Sequence, residues 1–190
     1  NKLKAGEYEL KAGLSMPEVL AVFVEGKSRQ YSITFPEGWS FKQILEEIQN
    51  NPHIDKTFES TDYQSIMTEL GVGDKHPEGL FFPDTYFFDK NTTDLALLKT
   101  AYNKMQLILN KECSNKEAGL PLNSAYQALI LASIVEKETG AAVERPQIAG
   151  VFTRRLKKGM LLQTDPTVIY GMGDSYKGNI RYKDLRQPTP

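Results

Sequence analysis

The chain has 190 residues, of which 40% are hydrophobic and 25% charged, a normal balance for a globular protein. A formal net charge of −1 and the lack of a Lys/Arg block argue against a nucleic-acid partner, because such binding needs a basic face. One cysteine allows no internal disulfide, and the two histidines lie far apart in sequence. We therefore expect no metal site and no cofactor.

The two ends of the chain do not look like natural termini. The chain opens on Asn1 and stops inside the polar run Arg-Gln-Pro-Thr-Pro at residues 186–190. It contains no apolar run long enough to span a membrane and no signal peptide. We expect a fragment of a longer protein, so these missing signals do not establish a cytoplasmic location.

The first part of the chain repeats a strand–helix pattern. Ser15 and Ser40 each have a glutamate or glutamine three residues later, which predicts capping boxes at the starts of two helices. Alternating stretches at 7–10 and 30–35 precede them and predict strands. The order predicts a small α+β module, although capping boxes are common enough for the repeat to be coincidental.

A short helix flanked by linkers is predicted within residues 51–79, which are rich in Pro, Asp, His and Gly. The segment 78–88 is dense in aromatic residues: Phe81, Phe82, Tyr86, Phe87 and Phe88. Aromatic rings can stack on sugars, whereas a buried strand is the commoner reason for such a stretch. Both interpretations stay open.

Three helices follow, at about 92–110, 124–139 and 145–158. The third has Pro146 in its first turn and Gly159 just past its end, the usual asymmetry. A short extended segment then runs into a further helix, for which we predict Asp165 as the N-cap and Pro166 as the first helical residue.

Glu136 and Glu138 stand two residues apart near the end of the second of these helices, so they point to different faces. At 100° per residue, Glu138 lies about 55° from the direction of the strong hydrophobes and Glu136 about 145° from it. We expect Glu136 in solvent and Glu138 at the end of the buried stripe. Burial favours the neutral carboxyl that a glycosidic general acid needs, but an ordinary helix-end residue fits the pattern too.

Four further polar side chains are candidates for a site: Glu144, Gln163, Asp165 and Tyr170. Asp165 is equally explained as a helix cap, and Glu144 can simply start the next helix. Gln163 can donate to a sugar hydroxyl or acetamido group, or only satisfy a loop.

One long motif resembles the signature of the MltG (YceG-like) family. It comprises Ile134-Val135-Glu136-Lys137-Glu138-Thr139, Glu144-Arg145, Val151-Phe152-x-x-Arg155-Leu156 and Gly159-Met160-x-Leu162-Gln163-Thr164-Asp165-Pro166-Thr167-Val168-x-Tyr170-Gly171. Earlier segments also resemble that family: Gly6-Glu7-Tyr8, Glu78-Gly79 and Phe82-Pro83-Asp84-Thr85-Tyr86. The resemblance covers nearly the whole chain.

The resemblance implies an α+β chain in two parts. Residues 1–77 would form a small LysM-like module, incomplete at its N-terminus. Residues 78–190 would form a mainly helical, lytic-transglycosylase-like catalytic domain, incomplete at its C-terminus, because the family continues past Pro190 with a stretch that helps wall the cleft.

The resemblance also implies an enzyme, a lytic murein transglycosylase. It would cut MurNAc-β-1,4-GlcNAc bonds inside peptidoglycan strands, leave 1,6-anhydro-MurNAc ends and terminate growing strands. Its location would be the periplasmic face of the bacterial inner membrane, with a single-pass anchor upstream of this chain. Peptidoglycan synthases (penicillin-binding proteins) are candidate partners.

The family's catalytic glutamate corresponds to Glu138, which would act first as acid and then as base. We predict that six residues contact the substrate: Gln163, Thr164, Asp165, Tyr170, Glu144 and Phe82. We also expect Glu138 on the floor of a groove shared with Gln163 and Asp165, with Glu136 pointing outward. The alternatives are a hydrolytic muramidase that uses Glu138 with Asp165, and a non-catalytic peptidoglycan-binding scaffold.

Overall fold

The computed structural model describes residue 3 and residues 6–26, 28–58 and 62–186. It divides into two compact units, Asn1–Gln106 and Leu107–Pro190. The described elements of the first unit are α1 (Met16–Glu25), β1 (Gln30–Phe35), α2 (Phe41–Asn50), β2 (Ile54–Asp55), α3 (Tyr63–Glu69), β3 (Asp84–Asp89), β4 (Thr92–Thr93) and most of α4 (Asp94–Ser114). The chain is therefore α+β, as predicted.

The described elements of the second unit are helical. They are the end of α4, α5 (Ala125–Glu138), α6 (Arg145–Lys157), α7 (Asp165–Met172) and short 3-10 turns at Gly173–Ser175 and Asp184–Arg186. Part of the polar run noted at the C-terminus, residues 187–190, lies outside the described residues. Among the described residues, no helix is both long enough and apolar enough to cross a lipid bilayer.

β1 and β3 pair in antiparallel fashion over their full length, with Ile33 opposite Tyr86. Ile33, Phe35, Tyr86 and Phe88 are buried, so alternate side chains of both strands enter the core. Phe87 points to the other face and is 69% exposed. The strand predicted at 30–35 is confirmed, and the aromatic segment contains a half-buried strand.

α1 and α2 begin at the predicted capping boxes. The Ser15 N–H donates to the Glu18 carboxylate at 2.7 Å. The Ser40 N–H donates to the Gln43 side chain at 2.9 Å, and the Ser40 hydroxyl accepts the Gln43 N–H at 3.3 Å. Each box satisfies backbone N–H groups that have no partner inside the helix, which explains why the helices start where they do.

The core of the first unit is formed by β1 and β3 together with α2, α3 and α4. Its most deeply buried side chains include Phe41, Ile48, Met67 and Leu98. Asp94, the first residue of α4, is also fully buried. Its carboxylate accepts N–H groups of the segment that follows β2, so a charged side chain joins two parts of this unit.

Several sequence predictions about local structure are wrong. Residues 7–10 form no strand, although the Glu7 carbonyl accepts the Arg29 N–H at 2.7 Å. The parallel pair of β2 and β4 was not predicted, because two-residue strands show no alternation. The helix predicted at about 92–110 is α4, which runs from Asp94 to Ser114. α7 begins one residue earlier than predicted, at Asp165, with Thr164 as its N-cap.

The division between the two units falls after Gln106 and not after residue 77. The physical reason is that β3 completes the sheet of the first unit, and Leu97, Leu98 and Ala101 of α4 are buried in its core. Residues 78–106 therefore fold with the first unit. The functional labels, LysM-like for the first part and catalytic for the second, stay predictions.

The second unit has a small core of its own. Leu131, Ile134 and Val135 of α5 pack with Phe152 of α6, and partly buried side chains surround them: Leu122, Ile148, Ala149 and Leu162. α5 begins at Ser124, whose hydroxyl accepts the Gln127 N–H at 3.1 Å. α5 contacts both α6 and α7, so the end of α5 lies beside the start of α7.

Candidate active site

Glu138 is the last residue of α5, and its side chain is exposed. The hydroxyl of Thr164, the N-cap of α7, donates to Glu138 Oε2 at 3.2 Å. Thr164 itself is only 4% exposed. A buried hydroxyl therefore fixes one oxygen of a carboxylate that solvent and ligands can reach, because a hydrogen bond from a buried group restricts the rotamers of its partner.

The relative burial of the two glutamates is the reverse of the prediction. Glu136 is the more buried, with a side chain 27% exposed, and it forms an ion pair with Arg145 at 2.9 Å. Arg145, the first residue of α6, donates to the Glu136 carboxylate. A helical projection of α5 alone could not show this contact. Glu138 lies beyond the last core residue of its stripe, so the apolar cluster ends before it.

The groove expected around Glu138 stays a prediction, and the groove that the structure describes in this unit lies beside Glu136. An open groove of about 490 Å³ lies along α5 and α6 and is lined by Ala128, Leu131, Ala132, Val135, Glu136, Arg145, Pro146 and Ala149. Its polar end is the Glu136–Arg145 pair. Glu136 thus points into this groove, while Glu138 points towards the N-terminus of α7.

The turn between α5 and α6 is closed by side chains of the motif. The Thr139 hydroxyl donates to the Glu144 carboxylate at 2.6 Å and accepts the Ala141 N–H at 3.0 Å. Glu144 is exposed and is the N-cap residue of α6, which agrees with its helix-starting role. The site residue Glu138 is therefore followed at once by a hydrogen-bonded turn.

The segment between α6 and α7 reverses the chain in a Schellman motif. The Met160 N–H donates to the Arg155 carbonyl at 2.9 Å, and Gly159 takes the left-handed conformation with φ 65°. The Arg155 guanidinium then donates to the Leu161 carbonyl at 2.7 Å and to the Gln163 side-chain oxygen at 2.5 Å. Gln163 therefore satisfies the loop, one of its two predicted roles. A sugar contact by Gln163 stays a prediction.

The remaining predicted site residues are divided between the two units. Asp165 is exposed at the first position of α7, next to Thr164, and Tyr170 is 62% exposed further along the same helix. Phe82 belongs to the first unit, where the Lys104 ammonium lies 5.3 Å from its ring centroid and its carbonyl accepts the Tyr86 hydroxyl. Phe82 therefore has packing partners within that unit.

Two residues important to this geometry were not singled out from the sequence. Arg145 and Arg155 were named only as members of the family motif. The signal for Arg155 was its place in the last turn of a helix that ends at Lys157, where arginine can reach the carbonyls beyond the helix. In the described residues, no cluster of three or more His, Cys, Asp or Glu side chains could hold a metal ion.

The motif from residue 134 to residue 171 therefore folds into one connected arrangement, in which the end of α5 meets the start of α7 at Glu138 and Thr164. The protein is of the α+β class, with a glutamate-bearing helical unit following a mixed one. The chain belongs to the YceG-like family, whose model matches residues 1–190.

Known relatives agree with that assignment. The chain is 30% identical to an endolytic murein transglycosylase of Bacillus subtilis, covering 98% of this chain and 56% of the relative. It is also 30% identical to an endolytic murein transglycosylase of Streptococcus pneumoniae strain D39, covering 90% of this chain and 36% of that protein. The chain thus spans about half or less of the length of these relatives.

A solved structure shares the fold. The crystal structure of a putative yceG-like protein from Listeria monocytogenes matches with a TM-score of 0.63 and 29% sequence identity. The match covers 100% of this chain and 67% of that one. The sequence comparisons thus show the family, and this structural match is consistent with the same fold.

Proposed function

We propose that this protein is an endolytic murein transglycosylase that cleaves MurNAc-β-1,4-GlcNAc bonds within peptidoglycan strands. The observation that carries the proposal is the contact of Glu138 with the buried Thr164 hydroxyl inside the family motif. Two relatives that bear this activity as their name support it. The proposal concerns the protein at its natural length, because the chain covers only part of those relatives.

In the proposed reaction, Glu138 acts twice. Its carboxyl group first protonates the glycosidic oxygen while the bond from that oxygen to C1 of the muramoyl residue breaks. Its carboxylate then takes the proton of the muramoyl C6 hydroxyl while that oxygen bonds to C1. The product is a 1,6-anhydro-muramoyl end, no water is consumed, and Glu138 regains its proton.

A single carboxylate is sufficient for this chemistry. Ordinary glycosidases place two carboxyl groups about 5–5.5 Å or about 6.5–9.5 Å apart, because the second acts as nucleophile or activates water. Here the substrate's own hydroxyl takes that place. The Glu136–Arg145 ion pair supports the choice of Glu138, since the Glu136 carboxylate already has a charged partner within the protein.

Thr164 supports the assignment of separate roles to the two oxygens of Glu138. Its hydroxyl holds Oε2 at 3.2 Å, so we assign proton transfer to Oε1. The exposure of Glu138 suits a polymeric substrate, because a glycan strand must lie across the residue. Asp165, Tyr170 and Glu144 are exposed in the same unit, and we retain them as proposed sugar contacts, with Gln163 and Phe82 as further candidates.

The wider biology is proposed on the same basis. Action on murein would put the protein outside the cytoplasm. The periplasmic face of the inner membrane and a single-pass anchor before this chain are proposed from the family resemblance alone. Residues 1–77, which belong to the first unit, would be the LysM-like, glycan-binding part. Termination of nascent strands beside peptidoglycan synthases would follow from cleavage inside strands.

The test is Glu138→Gln in the protein at its natural length, incubated with purified glycan strands and followed by mass spectrometry of the products. We expect anhydro-muramoyl ends from the wild type and none from the variant. The matched control is Glu136→Gln, the same change two residues away, which should retain cleavage. Cleavage by Glu138→Gln at the wild-type rate would refute the assignment.

The same spectra distinguish the alternatives. Reducing ends one water heavier than anhydro ends would indicate a hydrolytic muramidase, and Asp165→Asn would then be the variant that loses activity. Binding of peptidoglycan with no cleavage by the wild-type protein would instead favour a scaffold.

A further inference from the structure

Gln163 has a backbone conformation that its residue type disfavours. Its φ is 54°, in the left-handed region, where residues other than Gly, Asn and Asp are uncommon. Such a conformation persists only when the surroundings hold it, and it is often found next to functional groups. Gln163 directly precedes Thr164, whose hydroxyl contacts Glu138, so the direction of its backbone determines where that hydroxyl lies.

One side chain contacts both Gln163 and the backbone two residues before it. The Arg155 Nε donates to the Leu161 carbonyl at 2.7 Å, and its Nη2 donates to the Gln163 side-chain oxygen at 2.5 Å. The carbonyl of the same residue accepts the Met160 N–H at 2.9 Å. Arg155 therefore contacts the returning segment at three successive points, the last of them on the strained residue.

We propose that Arg155 is a positioning residue that holds the left-handed turn at Gln163 and thereby sets the Thr164 hydroxyl on Glu138. It acts through the loop and touches neither the glutamate nor the sugar. The role needs arginine, because its planar group carries separate donors for two acceptors, whereas lysine offers one point charge. The effect on catalysis rests on the proposed transglycosylase function, but the effect on the loop does not.

The first experiment measures the loop without reference to activity. The carbon chemical shifts of Gln163 and Thr164 in an NMR spectrum report the backbone conformation of each residue. In Arg155→Lys we expect the Gln163 shifts to move from left-handed values towards extended ones. Arg154→Lys, the same change one residue earlier on α6, should leave them unchanged. Unaltered Gln163 shifts in Arg155→Lys would refute the proposal.

The second experiment asks whether Arg155 acts through Thr164. Arg155→Lys should lower kcat about tenfold with little change in KM, because misplacing a group that orients the acid slows the chemical step more than binding. Thr164→Val should lower kcat too. If Arg155 works through the Thr164 hydroxyl, the double variant should be no slower than Thr164→Val alone.

The outcomes separate the two proposals. Multiplied losses in the double variant would mean that Arg155 contributes by another route, and the positioning role would be wrong. A wild-type protein that cuts no glycan would contradict the proposed function, while the chemical shifts would still decide whether Arg155 holds the loop. Equal thermal stability of Arg155→Lys and Arg154→Lys, measured by circular dichroism, excludes a general loss of folding.

Discussion

Replacing Asp94 with asparagine tests whether one buried carboxylate holds the first unit together. Asp94 is 0% exposed, and its two oxygens accept the Thr57 N–H at 2.9 Å, the Phe58 N–H at 3.3 Å and the Leu95 N–H at 2.8 Å. The Thr57 hydroxyl donates to it as well, at 2.5 Å. The carboxylate therefore accepts a first-turn N–H of α4 and anchors the segment after β2 at the same time.

The expected loss can be worked out from these contacts. An asparagine side chain has nearly the same shape but only one accepting oxygen, so its NH₂ group must face a backbone N–H. About half of the contacts are then lost, and each hydrogen bond to a charged group contributes about 1.5–3 kcal/mol. Less desolvation of the uncharged amide offsets part of this loss. We expect Asp94→Asn to lower the free energy of unfolding by about 3 kcal/mol.

Urea unfolding followed by Trp39 fluorescence measures this effect, because Trp39 is the chain's single tryptophan and belongs to the first unit. With a slope of about 1–3 kcal/mol/M, the midpoint should fall by about 1 M or more. The matched control is Asp62→Asn at the exposed N-cap of α3, where Asn and Asp cap equally well. Equal midpoints for the two variants would refute the reasoning.

Three further predictions concern other charged and phenolic groups. Glu136→Gln should lower the melting temperature of the protein by a few degrees, corresponding to about 1 kcal/mol for a partly exposed ion pair, whereas Glu138→Gln should leave it nearly unchanged in circular dichroism. Burial raises the pKa of Tyr86 to about 12. The stabilisation that this shift gives the folded state is therefore complete below about pH 10 and is lost as the pH rises towards 12. In Tyr86→Phe, the urea midpoint should fall less between these pH values than it does in the wild type. The hydrogen bond from Tyr31 lowers the pKa of Glu7, so Tyr31→Phe should raise that pKa towards its usual value in an NMR titration.

Signals within a few residues of one another predicted most of the secondary structure. The boxes at Ser15 and Ser40 depend only on a side chain and a backbone group three positions apart, and the structure contains both. Alternation at 30–35 likewise reflects a strand with one face buried. The weaker stretch at 7–10 shows the limit of this reasoning: among the described residues it pairs with no strand, and its Glu7 carbonyl accepts the Arg29 N–H.

Contacts between distant segments could not be predicted in the same way. In the sequence, Asp94 is simply a residue near the predicted start of a helix. Its role as a buried anchor depends on the Thr57 N–H, which belongs to the segment after β2 and donates to its carboxylate. Glu136 projected towards solvent on the isolated helix, and Arg145, which begins the next helix, covers it. In both cases the burial of a carboxylate depends on a donor that belongs to another segment, and periodicity contains no information about that donor.

The start of α7 explains how a capping residue can serve the site. An N-cap side chain normally accepts the N–H of the second or third helical residue, yet the Thr164 hydroxyl makes no such bond. The second position is Pro166, which has no N–H, and the Thr167 N–H at the third position reaches the Thr164 carbonyl at 3.3 Å. Because the helix makes little demand on the hydroxyl, it can lie against α5 and donate to Glu138. In the order Thr-Asp-Pro-Thr, the N-cap hydroxyl of Thr164 is therefore not used within α7 and is available to donate to the Glu138 carboxylate.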